Sequence, residues 1–156
     1  MIQRIQTIYM FMAVIVAAIT FFVPLATFST EGMQGFYELS GVCFNGVGIE
    51  AFNGTPKFSW GMLVFMAAYM LLVLAAIFQF KQRKLQLKLI RWSHLMLFIY
   101  LLSYAAYCYA FATNSATSYH FSCGILLPLF AKLLDLLAAK AIRKDEALVR
   151  AADRIR

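Results

Sequence analysis

The 156-residue sequence predicts an all-α membrane protein with four transmembrane helices, a small β-hairpin or meander in the first extracytoplasmic loop, and a C-terminal helix extended into the cytoplasm. Composition is the first reason. Hydrophobic residues make up 63% of the chain and charged residues 13%, whereas soluble domains average about 45–50% and about 25%. The second is clustering: the apolar residues form four runs of bilayer-crossing length that use roughly half the chain, so no soluble catalytic domain of ordinary size is left. The protein is therefore expected not to be an enzyme. The third is charge. The net +7 sits in residues that flank the apolar runs, which fits a topology signal and not a nucleic-acid-reading element.

The four runs are residues 5–25, 60–80, 92–112 and 121–139, within a single four-span domain covering 1–156. Each has about 20 residues, which at about 1.5 Å per residue matches a hydrocarbon core of about 30 Å. The first follows a single Arg4 and is too long for the roughly 7–15-residue core of a cleavable signal, so it reads as a retained anchor. Arg4, the cluster from Lys81 to Arg91, Lys132 and the cations from Lys140 to Arg156 fall toward one face, leaving only Lys57 of the 14 Lys and Arg residues for the other. The positive-inside rule then puts both termini and the second connection in the cytoplasm, with 26–59 and 113–120 outside, as expected for a multi-pass membrane protein.

The outer loop, 26–59, is long enough to be structured. Two β-prone runs, FYELSGVCF (36–44) and VGIEAF (47–52), flank Asn45-Gly46, the pair best suited to a type I′ hairpin turn. Asn53-Gly54 reads as a second turn, and Gly41 and Gly48 as bulges or close approaches. An isolated hairpin is marginal in water, so this one is expected to dock on the helices. Cys43 in the loop and Cys123 at the outer end of the fourth run form the candidate disulfide; the alternative is two small buried side chains.

Candidate chemistry is sparse. His94 and His120 sit at opposite ends of the predicted spans, so they do not converge on a metal or haem, and no cofactor is expected. His120 and Cys123, three apart, would share a helical face, but a thiol nucleophile also needs an orienting group. Ionisable groups within a span are the sharper signal. Lys132 and Asp135 are spaced to pair on one face of the fourth helix, just after Pro128. Tyr100, Ser103, Tyr104 and Tyr107 form one stripe on the third helix, which serves helix packing or lines a quinone or lipid pocket.

The ending KAIRKDEALVRAADRIR contains no Gly or Pro, so the fourth helix is expected to continue past the membrane. Arg143, Lys144, Asp145, Glu146, Arg150, Asp153 and Arg154 are its candidate partner-binding residues. The opening MIQRIQTIY, the four-run layout and the ending LLAAKAIRKDEALVRAADRIR together resemble the Bacteroidota membrane family called domain of unknown function 4293, over essentially the whole chain. The resemblance implies an inner-membrane protein and names no reaction.

Two functions are carried forward. The leading one is a non-enzymatic scaffold or accessory subunit, with the bilayer and a protein partner or second copy as its contacts and no nucleic acid. The other is a small transporter or lipid- or quinone-binding protein that uses Lys132, Asp135 and the tyrosine stripe.

Overall fold

Pro24 stops the first helix before the first apolar run is exhausted. The computed structural model describes residues 3–30, 36–41, 44–47, 59–80, 82–114 and 117–155. Helix α1 spans Gln3–Thr20. Its last carbonyls are taken up by a tightened turn through Phe21, Phe22 and Val23, and the Thr20 hydroxyl donates to the Val16 carbonyl at 3.0 Å. Proline then fixes φ and brings no N–H for a further turn. Strand β1 begins there, at Pro24–Thr30, so Leu25 belongs to the sheet and not to a helix reaching 25.

Three further helices follow: α2 (Trp60–Phe78), α3 (Arg83–Asn114) and α4 (Leu126–Ile155), the last entered through a short 3₁₀ turn at Cys123–Ile125. α2 matches the second run almost residue for residue. α3 begins nine residues earlier than the run starting at Trp92, taking the basic segment into the helix. α4 starts later than the run at Phe121 but continues unbroken to Ile155, as the ending predicts. Of these, Trp60–Phe78 and the Arg83–Ala110 part of α3 are long and apolar enough to cross a membrane, while the apolar stretch of α1, Ile5–Thr20, is shorter.

α1 packs chiefly on α4 and α2 chiefly on α3, and the two pairs meet through α1–α2 and α3–α4. The buried positions repeat strictly. They are Gln6, Met10, Ala13, Ala17 and Thr20 in α1; Met62, Met66, Tyr69, Val73 and Ala76 in α2; Gln86, Ile90, Ser93, Leu97, Tyr100 and Tyr104 in α3. In α4 they include Ala131, Asp135, Ala138, Ile142 and Asp145. Steps of three and four alternate throughout, the spacing of helices that meet along heptad seams. Small residues at Ala13, Ala17, Ala131 and Ala138 let backbones approach.

A four-stranded antiparallel sheet, in the order β3-β2-β1-β4, lies where α1 ends and α4 begins. β1, β2 (Phe36–Ser40) and β3 (Phe44–Val47) form the meander expected of the first loop. β4 (Thr117–Phe121) comes from the short connection before α4 and pairs with β1 from Ala26↔Phe121 to Thr30↔Thr117. Leu25, Ala26, Phe28 and Leu39 belong to the same core cluster as the helices, so one sheet face is docked on them.

The hairpin turn is not at Asn45-Gly46. Both residues lie inside β3, opposite Glu38 and Tyr37, and the chain reverses between Ser40 and Phe44. Local turn preference has yielded to the register that keeps Leu39 on the buried face. Gly46→Val is therefore expected to change stability by no more than about 0.5 kcal/mol, since a β-branched residue suits a strand; a thermal melt in detergent checks it. Gly41 does mark a close approach, since a Cβ there would stand 2.5 Å from the Thr20 carbonyl oxygen. Gly48, Asn53 and Gly54 lie outside the described residues.

Candidate functional site

Position 135 is a seam position of α4, so the heptad spacing turns its carboxylate into the helical core. Asp135 is fully buried. Tyr69, at the middle of α2 and also fully buried, donates its hydroxyl to Asp135 Oδ2 at 2.8 Å. α2 and α4 are not principal packing neighbours, so this bond crosses the centre and ties the two helix pairs together. His94 of α3 brings Nδ1 to 4.0 Å from the same oxygen, beyond hydrogen-bond reach. Both His94 Nδ1 and Asp135 Oδ1 are buried without a hydrogen-bond partner among the described residues.

The expected Lys132–Asp135 ion pair is not formed among the described residues. Asp135 faces Tyr69 and His94 instead, because it occupies the seam while half-buried Lys132 lies one position off it. Ser93, one residue before His94 and also in the seam, returns its hydroxyl to the Ile90 carbonyl at 2.8 Å. A buried carboxyl bonded to a phenol, with an imidazole one small displacement away, can hold a proton and exchange it with that imidazole.

A second polar layer lies toward the end remote from the sheet. Gln86 Nε2 donates to the Ala76 carbonyl at 3.1 Å and approaches Met10 Sδ at 3.9 Å, so it joins α3 to α2 and to α1. Arg83 and Asp145 form an ion pair at 3.0 Å. Asp145, expected to face a partner, is thus committed to α3, because it continues the seam of α4. Arg143 and Lys144 are exposed, and Glu146 is half-buried. The side chains of Arg150, Asp153 and Arg154 lie outside the described residues.

The tyrosine stripe divides. Tyr100 and Tyr104 are seam residues; Tyr104 donates to the Leu25 carbonyl at 3.3 Å, whereas the Tyr100 hydroxyl has no hydrogen-bond partner among the described residues. Ser103 bonds back to the Ile99 carbonyl. Ser103 and Tyr107 border Gly61 of α2, so this part of the stripe packs helix against helix. His120 lies in β4 and Cys123 in the 3₁₀ turn, so they do not share the helical face that their spacing implied. Cys123 is exposed and not in a disulfide; Cys43, its expected partner, lies outside the described residues. Among the described residues no group of three His, Cys, Asp or Glu side chains is placed to hold a metal ion.

In the sequence His94 stands at the opposite end of the spans from His120, and Tyr69 belongs to no motif. The seam spacing, which carries Tyr69, Ser93 and Asp135 inward together, is the signal that could have found the cluster. No curated protein matches the chain. The model of the family described as Domain of unknown function (DUF4293) matches residues 2–155, and the chain belongs to that family.

Proposed function

We propose that all four helices cross one bilayer as a bundle, with both termini on the cytoplasmic side of a bacterial inner membrane, and that the protein is a non-enzymatic scaffold that engages a protein partner through the α4 extension. Inverted polarity supports the four spans. The interior holds Gln6, Gln86, Ser93 and Asp135, while Ile8, Phe11, Leu71, Phe98, Leu102, Phe130 and Leu133 are all more than half exposed. Water would drive the reverse arrangement, whereas lipid accepts apolar side chains and leaves small and polar residues to join the helices.

The observation that carries the scaffold reading is the length and surface of α4. Its 30 residues extend about 45 Å, about 15 Å more than a hydrocarbon core. Beyond that core it exposes Leu148 and Val149 at 50% and 43%, two large apolar neighbours on a helix otherwise rich in charge. Such a face suits a partner helix or groove. Leu148→Lys with Val149→Lys is expected to release a protein that co-purifies with the wild type in mild detergent, while membrane insertion and melting temperature stay unchanged. Retention of every wild-type partner at equal yield, or no wild-type partner at all, would count against the scaffold.

A second reading, a small transporter or a lipid- or quinone-binding protein, is favoured by the Tyr69–Asp135–His94 cluster. Ionisable groups inside spanning bundles commonly mark proton, ion or substrate paths. In that case Asp135→Asn, which keeps an acceptor for Tyr69, abolishes solute or proton flux in proteoliposomes with little loss of stability.

A further inference from the structure

Because α3 packs chiefly on α2 and α4 chiefly on α1, α3 and α4 leave a cleft between them. A cavity of about 410 Å³ opens there toward the basic end, and its polar lining is cationic: Arg91 from α3, and Lys140 and Arg143 from α4. Among the described residues no acidic side chain lines it, and the nearby Asp145 is occupied by Arg83. Leu136 and His94 form its deeper wall, with Leu136 about 10 Å further along the helix than Arg143 by helical rise. Still deeper on the same two helices the exposed side chains are Leu133, Phe130, Leu95 and Phe98.

Charge followed by hydrocarbon-facing surface, along one cleft between two helices, repeats the order of groups in a phospholipid. We propose that the α3–α4 cleft binds an anionic phospholipid of the cytoplasmic leaflet, with the headgroup phosphate held by Arg91, Lys140 and Arg143 and an acyl chain laid over Leu136. The proposal rests on the four-span reading, which puts these cations at headgroup depth. Basic pockets between spanning helices on the cytoplasmic side are suited to such headgroups. Arg91 and Arg143 can present paired N–H donors to phosphate oxygens, while Lys140 supplies a point charge. The headgroup would sit beside His94, whose Nδ1 stands 4.0 Å from Asp135 Oδ2, so lipid occupancy is placed next to the buried polar cluster.

The test is a thermal-shift titration of the purified full chain in dodecyl maltoside, with phosphatidylglycerol, phosphatidylcholine or glycerol 1-phosphate as the additive. Phosphatidylglycerol is expected to raise the melting temperature saturably, and the other two to leave it unchanged. The triple variant Arg91→Gln, Lys140→Gln, Arg143→Gln should weaken the half-saturating concentration about tenfold or more. Lys84→Gln with Lys88→Gln, exposed cations outside the cleft, should not. Melting temperatures without lipid establish that each variant is folded; if the triple variant is not, Lys140→Gln and Arg143→Gln singly carry the comparison.

Equal stabilisation by phosphatidylcholine, or equal weakening in the control variant, overturns the site. Stabilisation by glycerol 1-phosphate to the same extent overturns the lipid in favour of a free anion. The titration does not depend on sidedness. A negative result with four spans intact therefore removes this site alone, while a failure of the four spans is read separately from labelling of the tail.

Discussion

Asp135→Ala is expected to lower the unfolding free energy in detergent by about 2–3 kcal/mol, because it strands a buried Tyr69 hydroxyl and leaves a cavity at the centre of the bundle. Asp135→Asn keeps an oxygen within reach of Tyr69 and should lose less than about 1 kcal/mol. A double-mutant cycle with Tyr69→Phe should give a coupling of about 0.6–2 kcal/mol, the range of interhelical hydrogen bonds in membranes. Lys132→Ala, on the flank of α4, should cost only about 0.5 kcal/mol.

The combined exchange Lys132→Asp with Asp135→Lys separates this account from an ion pair between the two residues. If they were partners, the exchange would recover stability that either single change loses. With Asp135 turned toward Tyr69 and His94, the exchange instead places an ammonium in the seam against a phenol and an imidazole. It should be at least as damaging as Asp135→Lys alone. Recovery to near wild type would mean that the carboxylate faces Lys132 after all.

The second large effect is expected where the sheet meets the helices. Gly124, in the 3₁₀ turn, is buried, and a Cβ there would overlap the Pro24 backbone carbonyl. Backbone cannot swing aside as a side chain can. Gly124→Ala should therefore cost about 2–3 kcal/mol, at the upper end of ordinary overpacking penalties. The neighbouring ties, from Ser122 N–H and the Tyr104 hydroxyl to the Leu25 carbonyl, would be strained by the same displacement. The loss should therefore come with faster alkylation of Cys123, which stands between Gly124 and Ser122, the residue bonded to the sheet. A melting temperature within a degree of wild type, with unchanged Cys123 reactivity, would show that the close approach is not needed.

Much of the helical architecture was legible because long apolar runs report directly on burial in an apolar medium. Trp60–Phe78 is such a run, and the Gly- and Pro-free ending correctly extended α4 to Ile155. Boundaries were less legible. Phe21, Phe22 and Val23 are as hydrophobic as the helix before them, so hydropathy carried the first run through Pro24, although the proline and the β-prone residues after it argued for a strand. β4 was missed because five residues in a short connection become a strand only when β1 is present to pair with them. Asn45-Gly46 misled for a related reason: turn preference is local, while strand register is fixed by which face meets the core.

The candidate site was half visible. Asp135 stood out as a charge in an apolar run, but its partner was sought on its own helix, where i,i+3 spacing is easy to see. The true partner, Tyr69, lies 66 residues away in sequence. It becomes apparent only when the alternating three- and four-residue steps are aligned with α2 and α4 each antiparallel to α3 and therefore parallel to one another. The same alignment turns Asp145 inward to Arg83 and leaves Leu148 and Val149 exposed, the large apolar side chains so placed among the described residues of the tail.

Whether α1 and α4 cross the bilayer together with α2 and α3 is decided by the location of Lys144. In single-cysteine variants of an otherwise cysteine-free chain, a membrane-impermeant maleimide applied to intact cells is expected to label Cys123, where it alone is kept, and Phe22→Cys, both exposed at the sheet end. Gln82→Cys and Lys144→Cys should be labelled only after permeabilisation. If α2 and α3 alone spanned, Lys144 would lie on the same side as Cys123. Labelling of Lys144→Cys in intact cells, with Gln82→Cys protected, would contradict the four-span account.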